Sequence, residues 1–148
     1  MNRSNHLLND LVSMARDGMC FYEQIAAKAS DPALKALFNR IANLKAELVS
    51  GLSTELRAAG GDKPALPGML VIEIHKLYDD LRARSRHDFV YIARLEGSED
   101  RMLMAFEDAR NDPGIAASAL AVLNRLWPEV QQCHEMVWHR TQALKQAA

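Results

Sequence analysis

Glu96, Glu99 and His134 are the residues of this 148-residue chain whose types and spacing could do chemistry. Each falls on the inward stripe of an amphipathic segment, where a helical core is otherwise apolar. Carboxylates and imidazole on inward faces can bind iron or manganese. Two divalent ions need about four carboxylates to neutralise them, with imidazole filling the remaining positions. A complete di-metal site in a helical bundle takes a Glu from each of two helices and a Glu-x-x-His from each of the other two. The facing positions here read Ala15, Lys45 and Leu48. The first and last carry no ligand atom, and the ammonium of Lys45 repels a divalent ion. The other chemistry open to these residues is an internal ion pair. A buried charge needs a partner, and Lys45 has the right sign to meet Glu96 and Glu99, with His134 hydrogen-bonded within the core. Such a pair sets helix register more than it stabilises. We expect this core ion pair of Lys45, Glu96 and Glu99, with no metal and no cofactor. Glu96, Glu99 and His134 remain the candidate metal set.

The elements that must position these residues are helices. In the first segment, residues 4–29, Leu8, Leu11, Ala15, Gly18, Tyr22, Ile25 and Ala29 recur at three- and four-residue steps, which makes one helix face. Asp31 can cap a second helix that opens with Pro32. That helix covers 32–59, with Leu34, Leu37 or Phe38, Ile41, Leu44, Leu48, Leu52 and Leu56 in its stripe. The turn between the two is short, so they lie antiparallel. Gly60-Gly61 stops the second helix, and 60–68 reads as a loop. A shorter helix over 69–84 follows, with a break at Ser85. A long segment over 86–110 places Phe89, Ile92, Glu96, Glu99, Leu103 and Phe106 on one face. Asp112-Pro113 restarts the chain, and a last helix spans 113–146. Its stripe holds Ala119, Val122, Leu126, Val130, Cys133 or His134, Val137, Thr141 and Leu144. Pro128 lies inside it and should bend it.

Two hairpins of long helices joined by about 25 residues imply a crossover, so that helix two and the next long helix lie parallel. Counting outward from the turns puts Ala15 level with Lys45, Glu96 with Pro128, and Glu99 with Arg125. His134 then lies nine residues beyond Arg125, about 13 Å along the axis.

Composition bounds the function. One domain over 1–148 can bury roughly 68–70% of its unfolded surface without disulfide or metal. The net charge of -1 argues against a nucleic-acid binder. The N-terminus alternates polar and apolar residues and lacks the apolar run of a signal peptide, and no segment is apolar enough to span a membrane. Cys20 and Cys133 are too few and too far apart for a disulfide scaffold, so a reducing cytoplasm is expected, with both thiols as inert packing. Tyr22, Tyr78, Tyr91, Trp127 and Trp138 read as core or interface residues. The methionines, Met14, Met19, Met69, Met102, Met104 and Met136 among them, read as gap fillers in the core. His75, Arg82, Arg84, Arg86 and His87 gather near the end of the connecting helix. They read as a solvated face, with a phosphate contact as the sharper possibility.

The blocks LLNDLVSMARDGMCFY, DPALKALF, ELRAAGGDKP, EIHKLYDDLRA, LEGSEDRMLMAFEDA and VQQCHEMV occur in order along nearly the whole chain. In these the sequence resembles a bacterial ferritin-like family catalogued as domain of unknown function 2383. The resemblance implies an all-α, ferritin-like antiparallel four-helix bundle with a shorter crossover helix between two hairpins, and no established activity. Against rubrerythrin-type bundles, Tyr22 and Phe106 resemble the aromatic positions that follow a ligand, with Ala15 and Glu99 seven residues earlier. The paired Glu-x-x-His motifs fall on Lys45 and Leu48 and on Gln131 and His134, so two of the six implied ligand positions, Glu99 and His134, hold a ligand residue. We therefore expect a cytoplasmic, non-catalytic structural, interaction or stress-associated bundle that forms a homodimer, with no nucleic-acid or membrane partner. The alternatives are a metal-binding protein or oxidoreductase using Glu96, Glu99 and His134, and a phosphate-binding bundle using the basic end of the crossover.

Overall fold

A computed structural model of the chain describes residues 3–58, 76 and 88–147. Among them the long elements are all helical: α1 (Arg3–Lys28), α2 (Pro32–Ala58), α3 (Asp88–Arg110) and α4 (Ala117–Ala147). The expected loop over 60–68, the crossover helix apart from a helical Lys76, the break at Ser85 and the basic cluster at its end lie outside the described residues.

Asp31 does at the start of α2 what its position predicts. Its Oδ1 accepts the backbone N–H of Ala33 at 2.8 Å, and its carbonyl accepts the first helical bond, from Lys35, at 2.9 Å. A cap of this kind supplies about 1 kcal/mol. The turn that follows from it makes α1 and α2 antiparallel, and Tyr22 meets Phe38 across them with ring centroids 6.0 Å apart.

Each helix packs mainly against two neighbours. α1 lies against α2 and α3, and α4 lies against α2 and α3. α1 and α4 therefore occupy one diagonal of the bundle, α2 and α3 the other. Ser4 of α1 meets Asp112 beyond the end of α3 and Tyr22 meets Glu99, so α1 and α3 run in opposite directions. Gly51 of α2 faces Val122, while Arg40 reaches Gln132, so α2 and α4 are also antiparallel. It follows that α2 and α3 point the same way. A methyl group on Gly51 would come within 3.0 Å of Val122, which marks a close approach of α2 to α4.

The core is one cluster. Leu11, Met14, Phe21, Tyr22, Ile25, Phe38, Ile41, Leu48, Leu52 and Phe106 are its largest fully buried members. No described helix is long and apolar enough to cross a membrane.

The start of α4 departs from the sequence expectation. Its first residue is Ala117, where Pro113 was expected. Asp112 cannot cap it, because its carboxylate is held by Ser4 Oγ and, at 3.2 Å, by Arg3 Nε. Residues 111–116 instead form a turn with the Ile115 N–H on the Asp112 carbonyl at 3.2 Å. Six non-helical residues displace α4 against α3. Arg110 now donates to Asn124 at 3.1 Å, and Phe106 stacks on Trp127 at 5.6 Å. These pairings, with Asp100 beside His134, put Glu99 level with His134, in place of the expected Arg125. α4 runs unbroken through Pro128, whose ring lies on the exposed side of the helix.

Two packing expectations, for Cys20 and Met104, also change. Cys20 is exposed and does not pack, since it lies two residues from both Gly18 and Tyr22 and so on the opposite side of α1. Met104 is 58% exposed and fills no gap, and Trp138 is 44% exposed. Tyr22 is buried in the core, and Trp127 is partly buried against it.

Candidate functional site: a buried polar cluster at Glu99

Glu99 and Lys45 occupy inward positions on the diagonally opposed helices α3 and α2. Their side chains are 6% and 4% exposed, and Lys45 Nζ lies 3.3 Å from Glu99 Oε1. Tyr22 of α1 donates its hydroxyl to the same Oε1 at 2.5 Å. The ammonium also stands 5.5 Å from the Tyr22 ring centroid, close enough for a cation–π attraction. The ring is held in turn by Phe21, edge-on at 5.7 Å, and by Phe38. Glu99 thus draws donors from two other helices.

The fourth helix contributes a thiol. Cys133 of α4 is buried, and its pKa is pushed up from the usual 9.0 to about 11. Burial is the main cause and the Glu99 carboxylate the second, with Lys45 pulling the other way. At neutral pH the group is a protonated thiol, and a protonated thiol is a poor nucleophile and a poor metal ligand. The cluster therefore combines one cation, one anion and two neutral side chains from four helices. No buried side-chain nitrogen or oxygen among the described residues lacks a hydrogen-bond partner.

His134 is not part of it. The register brings it level with Glu99, but the next residue-step around α4 turns it outward, and Cys133 takes the inward place. His134 Nε2 contacts the exposed Asp100 carboxylate, and the imidazole is 24% exposed. The expected hydrogen bond within the core is thus replaced by one at the rim. Glu96 belongs to α3, and its side chain lies outside the described residues.

A di-metal centre does not fit this arrangement. Glu99 spends one oxygen on an ammonium and a phenol, and Ala15, Lys45, Leu48 and Gln131 supply no anionic ligand. Among the described residues no three His, Cys, Asp or Glu side chains gather in a way that could hold an ion. Sequence reasoning missed two participants, Tyr22 as donor and Asp100 as the partner of His134. Tyr22 carried a usable signal, since a tyrosine on a core stripe needs somewhere to put its hydroxyl. Asp100 carried none until the register was fixed.

The class defined by this fold and cluster is an all-α helical bundle whose polar interior is internally neutralised. The family described as Domain of unknown function (DUF2383) matches residues 3–112, and the chain belongs to that family. The matched stretch holds Tyr22, Lys45 and Glu99 and ends before α4. No curated protein and no solved structure matches the chain.

Proposed function

We propose that the protein is a non-catalytic structural or interaction scaffold, built on a ferritin-like helical plan and working as a cytoplasmic homodimer. The observation that supports this reading is the position of Lys45. Its ammonium stands at the Glu99 carboxylate, where a bundle of the di-metal kind would need a divalent cation. Adding such an ion would leave an excess of positive charge in an interior with little screening, so either the ion or the lysine must leave. Glu99 is no better placed as a general base, because both of its known partners stabilise the carboxylate and it lines no described cavity. The parallel course of α2 and α3 supports the ferritin-like plan.

The test is elemental analysis of protein produced with iron and manganese supplements. The scaffold reading expects less than about 0.1 metal ion per chain, a threshold chosen well below one-site stoichiometry. One or more ions per chain, lost on Glu99→Ala, would overturn it in favour of a metal protein.

A further inference from the structure

On the outer side of the α2–α4 seam is a shallow depression of about 140 Å³, lined by Arg40, Asn43, Leu44, Glu47, Glu129 and Cys133. Arg40 stands at one end of it on α2. Glu47 stands seven residues further along the same helix, two turns away and so on the same face. Glu129 of α4 lies near the middle of the depression, about level with Leu44, since Arg40 is level with Gln132 and Met136, Gly51 faces Val122 and the two helices are antiparallel.

Among the described residues none of these three charges meets an opposite charge. Arg40 donates to the Gln132 amide oxygen at 2.6 Å and to the Met136 sulfur at 3.5 Å, both neutral acceptors. Neither Glu47 nor Glu129 forms an ion pair among the described residues. All three are exposed. Beyond Arg40 the seam continues as an apolar trough of about 470 Å³ lined by Ala33, Ala36, Leu37 and Met136, with Arg140 and His139 at its rim. Arginine and methionine are enriched at protein interfaces.

We infer that this face docks a second copy of the chain through a two-fold axis passing near Asn43 and Leu44. The charge order along the face is what selects a second copy as the occupant. A two-fold rotation about that point reverses α2, so Arg40 of each copy comes opposite Glu47 of the other, while Glu129 stays near the axis. One surface thus carries both halves of the complementarity, as a self-paired interface requires, and each contact is made twice. This inference rests on the homodimer part of the proposed function and assigns it a face.

The experiment is sedimentation velocity on the full chain over a concentration series, with circular dichroism confirming that each variant is helical. Wild type should be a dimer. Arg40→Glu and Glu47→Arg should each weaken it by at least about tenfold, because each sets like charges opposite one another twice. The double variant should return to within about threefold of wild type. A monomeric wild type, or a larger assembly, would overturn both the homodimer and this face. A wild-type dimer that ignores the single reversals, or a double variant that stays weak, would overturn the face and leave the homodimer standing.

Discussion

Lys45 and Glu99 meet across a diagonal of the bundle, between two helices that are not packed as neighbours. Neighbouring helices are registered by the apolar side chains packed between them. A diagonal pair has few, so one charged contact carries much of the information about how α2 slides relative to α3.

Removing the cation alone should be severe. Lys45→Met leaves the Glu99 carboxylate buried without its counter-charge, at a cost of about 3–5 kcal/mol. Lys45→Met with Glu99→Gln leaves no charge and should cost far less. Urea unfolding of the two single variants and the double, analysed as a cycle, measures this. Equal losses from Lys45→Met and from the double would show that the pairing contributes nothing specific.

Tyr22→Phe tests the third member. The variant keeps the ring and its packing against Phe21 and Phe38 but removes the hydroxyl from a buried carboxylate. Hydrogen bonds to charged groups are worth about 1.5–3 kcal/mol, and that is the expected loss. In the Glu99→Gln background the same change should cost roughly half as much, because the acceptor is then neutral.

Cys133 predicts a pH dependence in the alkaline range. Its folded pKa of about 11 lies above the ordinary 9.0, so between those values the native state holds a proton that the unfolded state releases. The unfolded state binds fewer protons there, and stability falls as pH rises. The contribution is fully present below pH 9. Cys133→Ala should flatten the decline between pH 9 and 11 relative to wild type, measured as denaturation midpoint against pH. A slope identical in both proteins would contradict the assignment. The same contrast appears in labelling. At pH 8 a thiol reagent should modify the exposed Cys20 in the native protein and reach Cys133 on unfolding.

Asp112→Ala should loosen one end of the bundle without unfolding it. The carboxylate is buried and takes donors from Ser4 and Arg3, and leaving Ser4 unpaired costs about 1–3 kcal/mol. Amide exchange should accelerate in the first turns of α1 and stay slow around Tyr22.

Much of this architecture was legible in the residues. The α1–α2 hairpin follows from Asp31-Pro32 and two apolar stripes, and both helices fall within a residue or two of where periodicity sets them. Lys45 stood out because it holds a position where a di-metal bundle would carry a ligand, and its charge is opposite to that of the inward glutamates. What could not be read was the register of α3 against α4. Asp112-Pro113-Gly114 has the composition of a cap followed at once by a helix, and nothing local reveals that the Asp112 side chain is committed to Ser4 far away in sequence. That one tertiary bond changes where α4 begins, and with it the level of every residue on α4. The consequence is visible at His134, which lands beside Asp100 at the rim while Cys133 enters the core. A single residue-step on a helix is about 100° of rotation, enough to exchange a ligand candidate for an inert thiol.

The clasp between Ser4 and Asp112 spans 108 positions of the chain, and this bears on the order in which a ribosome delivers the pieces. The opening turn of α1 is made first but finds its anchor only after α3 has been synthesised. Translation can pair α1 with α2 early through their leucines, yet that nascent hairpin still has a loose tip and an unmatched lysine. Arrival of α3 supplies Glu99 for one and, just behind it, Asp112 for the other.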